Sequence, residues 1–148
     1  MIRKPLLGYV VSHPIQYQAP LFRRLAHSPV IDFVALFACD FGVRSSFDSA
    51  FDRPVDFGVP LLDGYSHAYL PQGARQPRID RFWGLRFRCG RGFPTPVPDA
   101  VVVHGWRTAM MWQAAARCMI RGIPYLLRAE TPAWSQLDSS EDRRSLKN

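Results

Sequence analysis

The chain is short of acidic residues, cysteines and long apolar runs, and each shortage excludes a class of protein. Its 148 residues include 12 Asp and Glu against 19 Lys and Arg, and this net charge of +7 favours anionic partners. Three widely spaced cysteines, Cys39, Cys89 and Cys118, fit neither a disulfide framework nor a zinc cluster and indicate a reducing compartment. No apolar stretch approaches the roughly 20 residues that cross a bilayer. We therefore expect a cytoplasmic chain, at most peripheral at the inner face of the membrane.

Familiar nucleotide-binding and metal-binding motifs are also missing. No Walker loop occurs, no Gly-x-Gly-x-x-Gly follows the first apolar run, and there is no His-Glu-x-x-His or Cys-x-x-Cys. Without these motifs, a nucleoside triphosphatase, a dinucleotide-dependent oxidoreductase and a zinc enzyme are less favoured interpretations. With 47% hydrophobic residues, the chain still has enough apolar material for one folded domain with its own core.

The first 25 residues predict a strand, a bend and a helix. The apolar run 6–11 is rich in Val and Tyr and predicts a buried strand. Leu21, Phe22 and Leu25 have the spacing of one helix face. Pro20 suits the first turn of that helix, where its missing N–H has no partner. A β-α unit of this kind starts a doubly wound parallel sheet, in which ligands gather at the carboxyl ends of the strands.

Further apolar runs predict the rest of the sheet. Thr108 suits the N-cap of a helix that ends before Gly122, and Gln113, Arg117 and Arg121 leave a narrow polar stripe on that helix. The predicted fold class is α/β, a Rossmann-like doubly wound parallel sheet. The remaining strands are predicted at 31–38, 66–70, 100–103 and 124–127, in a domain that covers residues 1–134 and is followed by a polar tail or truncated helix at 135–148.

Two long excursions interrupt this pattern. The first, 43–64, predicts an irregular loop held down by Phe47, Phe51 and Phe57. The second, 71–98, has a local excess of five positive charges, because its single acid is Asp80. This segment predicts either a solvated basic loop or a surface for a phosphate backbone, an anionic lipid or an acidic acceptor. Its arginines are Arg75, Arg78, Arg81, Arg86, Arg88 and Arg91, and its aromatic residues are Phe82, Trp83, Phe87 and Phe93.

Polar or ionisable residues follow three of the predicted strands. Because the carboxyl ends of parallel strands share one edge of a sheet, we expect these residues to be neighbours. His104 can serve as a base or a hydrogen-bond partner near neutral pH, Glu130 can orient a hydroxyl, and Arg107 at a helix start suits an anion. Each alone is more often structural, and Arg128 with Glu130 is also readable as a simple ion pair. The three groups are Ser12 with His13, then His104, then Arg128 with Glu130.

Four blocks of the sequence carry a resemblance to a known family. They are Ser12–Tyr17 with Ala19–Phe22, Val55–Phe57 with Pro60–Tyr65, Val103–Trp106, and Leu127–Glu130. In this order they resemble the amino-terminal domain of GT-B glycosyltransferases of glycosyltransferase family 4, group 1-like. Two positions depart from the family pattern, since Phe57 stands where Trp is usual and Ala129 where Gly is frequent.

The resemblance implies a retaining transferase that moves a sugar from a nucleotide-sugar to a glycan or lipid-linked acceptor. Its amino-terminal domain would mainly hold the acceptor, with the nucleotide-sugar as co-substrate and no metal or other cofactor. The family's carboxyl-terminal domain, with two glutamates eight positions apart, is missing, so the chain is expected to be inactive alone. Together with the strand-end argument, this predicts His104 and Glu130 as catalytic residues and, as substrate-binding residues, Ser12, His13, Gln16, Tyr17, Trp106, Arg107 and Arg128.

Two other functions stay open at this point. One is a non-catalytic basic module that uses residues 71–98 to bind nucleic acid or an anionic membrane surface, nucleic acid being the less favoured partner. The other is a partner subunit for a separate chain that binds the nucleotide-sugar. The sequence predicts neither the donor sugar nor the acceptor nor the linkage.

Overall fold

The computed structural model describes residues 3–43, 46–48, 53–55 and 60–129. A single turn of 3-10 helix spans Phe82–Gly84. The two helices are α1 (Ala19–Ala26) and α2 (Ala109–Arg121). The strands are β1 (Leu6–Val11), β2 (Asp32–Phe37), β3 (Ser46–Asp48), β4 (Arg53–Val55), β5 (His67–Tyr69), β6 (Ala100–His104) and β7 (Tyr125–Arg128).

Five of these strands form one parallel sheet with the order β5-β2-β1-β6-β7. From β1 the chain adds β2 and then β5 on one side, and afterwards returns to add β6 and β7 on the other side. The direction of strand addition therefore reverses between β1 and β6. With α1 and α2 packed on opposite faces, the arrangement agrees with the predicted α/β, Rossmann-like class.

One face of the sheet packs against α1 through aromatic rings. Successive side chains of a strand point to opposite faces, and Tyr9 of β1 belongs to the face that α1 covers. Phe22 of α1 is 1% exposed and lies at the centre of this layer. Its ring centroid is 4.9 Å from that of Tyr9, 5.4 Å from that of Phe33 and 5.3 Å from that of Tyr65. The predicted apolar face of α1 is thus confirmed for Phe22 and for Leu25, which packs against the same cluster, whereas Leu21 is 37% exposed.

The opposite face packs against α2 and against residues 71–98. Leu85, Phe87 and Phe93 of that segment are buried in the same cluster as Met110 and Cys118 of α2. The segment is therefore more than the basic aromatic loop that the sequence predicts. Of the four aromatic residues of this segment, only Phe82 and Trp83 in the 3-10 turn are exposed.

Residues 43–64 also differ from the prediction. β3 and β4 pair as an antiparallel hairpin where an irregular loop is expected, because neither strand carries the apolar alternation by which short strands are recognised. The anchoring role predicted for Phe47, Phe51 and Phe57 lies outside what the structure describes. The same holds for residues 130–148, which include the predicted domain boundary at residue 134 and the polar tail.

The ends of α2 agree with the prediction in position. Thr108 is the N-cap residue, although its side chain makes no capping hydrogen bond, and Gly122 ends the helix in the left-handed conformation with φ 65°. Cys39 and Cys118 are buried free thiols, and Cys89 is an exposed one. Of the described helices, none is long and apolar enough to cross a bilayer.

Candidate functional site

The reversal between β1 and β6 locates the candidate site. Open α/β sheets bind ligands in a crevice outside the carboxyl ends of the strands, at the point where the strand order reverses. Val10 of β1 pairs with Val103 of β6, so the loops that follow these two strands start side by side. Ser12 and His13 begin the first loop, and Gly105 begins the second. Residues more than 90 positions apart therefore meet at one edge, as the sequence predicts.

His104 and Arg128 come together at this edge through a tyrosine. His104 pairs with Arg128 in the register of β6 and β7, and His104 is 9% exposed. Tyr9 Oη lies 3.3 Å from Nδ1 of His104, and Nη1 of Arg128 donates a hydrogen bond to Tyr9 Oη at 2.9 Å. Three side chains from three neighbouring strands thus form one cluster, which we call the Tyr9 cluster. Glu130, the second predicted catalytic residue, lies outside the described residues.

Tyr9 is the member of the cluster that sequence reasoning missed. It lies within the apolar run that predicts β1, and nothing there distinguishes it from a core residue. A usable signal existed, since a buried tyrosine hydroxyl almost always finds a hydrogen-bond partner. Tyr9 is 3% exposed, so its hydroxyl marks a polar group beneath the surface of the edge.

His13 occupies a separate part of the same edge. Its Nδ1 is 2.8 Å from the hydroxyl of Ser12, and its ring meets the ring of Phe41 edge to face at 5.3 Å. Burial lowers the pKa of His13 below its ordinary value, so the imidazole is neutral at neutral pH. The Ser12 carbonyl accepts the N–H of Cys39 at 2.9 Å, which ties this loop to the end of β2. His13 therefore lies on the β2 side of the crevice and the Tyr9 cluster on the β7 side.

The other predicted binding residues form the exposed rim. Gln16 and Tyr17 lie between β1 and α1, and Trp106 and Arg107 lie between β6 and α2. The Trp106 carbonyl accepts a hydrogen bond from the indole N–H of Trp112 at 2.8 Å, which fixes the second loop on α2. Arg107 directly precedes the N-cap of α2, where the predicted preference for an anion applies.

Each helix that borders the crevice begins with a buried polar side chain. Gln18, the N-cap residue of α1, is 1% exposed, and Thr108, the N-cap residue of α2, is 4% exposed. Both amide atoms of Gln18 and the hydroxyl of Thr108 have no hydrogen-bond partner within the described part of the chain. Such groups are uncommon in native proteins, and each marks hydrogen-bonding capacity for a water or a ligand.

The main cavity and the hydrogen-bonded polar groups lie at opposite edges of the sheet. A half-open cavity of about 370 Å³ lies at the amino ends of the strands, where Asp32, Ser66 and Thr95 are its polar lining residues. We place the candidate site at the opposite edge because basic, imidazole and hydroxyl groups converge there in hydrogen bonds. Among the residues described, no group of His, Cys, Asp and Glu side chains could hold a metal ion.

The carboxyl edge offers groups that suit an oxygen-rich ligand. A guanidinium, an imidazole and hydroxyl groups lie within two neighbouring clusters, and charge-assisted hydrogen bonds to hydroxyl or phosphate oxygens are the chemistry that this set supports. Comparison with protein families, curated protein sequences and solved structures gives no match for this chain.

Proposed function

We propose that this chain is the acceptor-binding domain of a retaining glycosyltransferase of GT-B architecture, and that the crevice between β1 and β6 is its acceptor site. The observation that supports this most directly is the Tyr9 cluster at the point of strand reversal. Two of its members, His104 and Arg128, belong to the blocks that resemble glycosyltransferase family 4. The crevice and the resemblance therefore point to the same residues by separate arguments.

The proposed reaction assigns a part to each cluster. The bond between the anomeric carbon of the donor sugar and the nucleotide phosphate breaks, and the nucleotide departs with the electron pair of that bond. A bond from the anomeric carbon to an acceptor hydroxyl oxygen forms on the same face of the ring, and the proton of that hydroxyl passes to the departing phosphate. His104 contacts the transferring sugar or the acceptor hydroxyl, Glu130 orients that hydroxyl, and His13 lies near the acceptor or the donor phosphates. The exposed residues of the rim contact the rest of the acceptor. No metal is part of the proposal.

Acceptor binding is the direct test. The ¹⁵N-labelled chain is titrated with glycans, short-chain lipid-linked sugars and nucleotide-sugars, and amide shifts are followed by NMR. We expect an acceptor to shift the amides of Ser12, His13 and Gly105. His104→Gln should weaken that acceptor about tenfold, the loss of roughly one hydrogen bond. His27→Gln, at the far end of α1, is the matched control and should change nothing. Shifts confined to the cavity at the amino ends, or no shift with any acceptor, would contradict the proposal.

Turnover is a second test. The chain alone, given nucleotide-sugars and acceptors, should form no product, because the proposed donor-binding half is a separate domain. Adding a donor-binding domain of a family 4 glycosyltransferase should raise product formation above that of either protein alone if the chain serves as a partner subunit. Sugar transfer by the 148-residue chain alone would refute the restriction to acceptor binding.

A further inference from the structure

Residues 71–98 are fixed to the domain and are not a loose tether. Gln72 and Phe87 form an antiparallel bridge, the N–H of Gly73 donates to the carbonyl of Arg86 at 2.8 Å, and the N–H of Arg88 donates to the carbonyl of Pro71 at 2.7 Å. The N–H of Met110 in the first turn of α2 donates to the carbonyl of Leu85 at 2.9 Å. The chain between the two arms of this ladder is therefore held in one position.

At the end of the ladder the chain closes into a tight turn, residues 78–84, which we call the aromatic turn. The N–H of Arg78 donates to the Gly84 carbonyl, and the N–H of Gly84 donates to the Arg81 carbonyl, both at 3.0 Å. A Cβ atom at Gly84 would clash with the Arg78 carbonyl oxygen, so only glycine fits there. Phe82 is 44% exposed and Trp83 is 64% exposed. Their rings meet edge to face, 5.0 Å apart, on the outer side of the turn.

The charge around the aromatic turn is positive. Asp80, the only acid of residues 71–98, accepts two hydrogen bonds from the Arg78 guanidinium, at 2.7 Å and 3.0 Å. In this pair the charges of Arg78 and Asp80 cancel, so neither adds to the net charge of the segment. Within the part of the chain that the structure describes, the remaining arginine side chains form no ion pair with an acid; the exposed ones are Arg75, Arg81, Arg86, Arg88 and Arg91.

We propose that the aromatic turn docks this protein on an anionic lipid bilayer. Phe82 and Trp83 enter the boundary between headgroups and acyl chains, which suits amphipathic rings, and the arginines on either side contact lipid phosphates. The proposal is independent of sugar transfer, because it concerns residues outside the candidate site and needs no enzyme activity for its test.

The arrangement of the rings favours a bilayer over nucleic acid. Binding of single strands uses several rings along a groove, on which successive bases stack. Phe87 and Phe93 are buried, so they are not available for stacking, and only the two adjacent rings of Phe82 and Trp83 remain exposed among the aromatic residues of 71–98. An edge-to-face pair also presents no two parallel planes to successive bases. An exposed pair of rings flanked in the sequence by exposed arginines matches a charged, penetrable surface instead.

Vesicle flotation with the full chain tests this proposal. We expect binding to vesicles enriched in phosphatidylglycerol, little binding to phosphatidylcholine vesicles, and weaker binding as salt rises, because screening reduces the attraction. The double variant Phe82→Ala/Trp83→Ala should bind at least tenfold more weakly. Trp112→Ala/Ile120→Ala is the matched control, since both residues are exposed apolar side chains of α2, and it should bind as the parent does.

Further variants in the same assay test the role of charge and show whether a loss of binding comes from unfolding. Arg81→Gln/Arg86→Gln should lower affinity and flatten the salt dependence, whereas Arg24→Gln on α1 should not. Trp83→Phe keeps a ring and should retain binding with an unchanged melting temperature. Equal binding to both vesicle types, an equal loss in the α2 control pair, or tighter binding to a single-stranded oligonucleotide than to anionic vesicles would each overturn the proposal.

Discussion

At the residue scale, one hydroxyl in an apolar strand organises the candidate site. A guanidinium can only donate hydrogen bonds, so the phenol oxygen of Tyr9 accepts from Arg128. We expect the phenol hydrogen to point to Nδ1 of His104, which lies 3.3 Å away. In that arrangement Nδ1 is an acceptor, and the ring hydrogen is on the second ring nitrogen, Nε2.

The first prediction concerns this tautomer. We expect ¹⁵N NMR of the His104 ring to show a hydrogen on Nε2 and none on Nδ1. Tyr9→Phe removes only the hydroxyl, so the domain should fold with a loss of about 1–3 kcal/mol, and His104 should become a mixture of tautomers. His67, which packs among aromatic rings, serves as the control and should keep its spectrum. A hydrogen on Nδ1 of His104 in the parent chain would refute the assignment.

The second prediction concerns His13 and pH. Burial lowers its folded-state pKa, whereas the unfolded chain titrates near the ordinary value of about 6.5. Below that pH the unfolded chain takes up a proton that the folded chain resists, so stability falls on acidification and is unaffected above it. Urea unfolding at about pH 7.5 and about pH 5.5 should show a smaller loss of stability for His13→Asn than for the parent. Equal losses in the two proteins would exclude this role.

At the scale of elements, α2 acts as a clamp on residues 71–98. Its predicted polar stripe does not face solvent throughout. Gln113 Oε1 accepts the N–H of Phe87 at 2.8 Å, and the Arg117 guanidinium lies 4.1 Å above the Phe87 ring while donating to the Arg91 carbonyl at 3.0 Å. Gln113 and Arg117 of the stripe therefore help to hold the basic segment on α2.

The third prediction tests this clamp. Gln113→Ala leaves the N–H of Phe87 without its acceptor, which should cost about 1–3 kcal/mol and speed hydrogen exchange in residues 86–91. Gln113→Glu retains an acceptor oxygen and should restore protection. Met119→Ala, an exposed change on the same helix, should leave exchange in this segment unaltered. Unchanged exchange in Gln113→Ala would show that the ladder holds the segment without the helix.

The elements that the sequence predicted well are those with a dense apolar run. β1, β2 and β6 lie within the predicted runs or extend one residue beyond them, because strands buried in a parallel sheet need apolar side chains on both faces. β7 also extends only one residue beyond its predicted run, although most of its side chains are exposed. The core role of residues 71–98 was missed although a signal was present. Leu85 and Phe87 alternate with Arg86 and Arg88, which is the pattern of a half-buried strand, but the local charge directed attention to the surface.

At the scale of the whole molecule, the sheet ends at an apolar edge. β7 has one neighbour, β6, among the described strands, and Leu126 and Leu127 are 63% and 53% exposed. Trp112, 54% exposed, extends this surface onto α2. An exposed strand edge with apolar side chains is a template for association.

The fourth prediction follows from that edge. The parent chain should self-associate as its concentration rises, and Leu126→Lys should shift it toward monomer in light scattering, because a lysine on an edge strand opposes pairing. The melting temperature should not fall, since Leu126 is largely solvated already. Val30→Lys, an equally exposed apolar position after α1, should leave self-association unchanged. A monomeric parent chain at all concentrations would contradict the prediction.

The sequence predicts the candidate site only to the extent that it predicts the parallel sheet. Once the strands are parallel and adjacent, residues at their carboxyl ends meet, and this brought His104 and Arg128 together as predicted. Which of these side chains form hydrogen bonds with each other depends on the direction in which each one points. His13 packs on Phe41, whereas His104 lies within hydrogen-bonding distance of Tyr9.

The pairing of β1 with β6 also governs the order in which the molecule can assemble. Leu7 pairs with Ala100, so the central strand gains its second neighbour only after Ala100 has left the ribosome. Until then a nascent chain can form β1, α1 and β2 but keeps one side of β1 open. Contacts of such long sequence separation slow folding, so the formation of this strand pair is the step at which synthesis rate and chaperone capture would act on this protein.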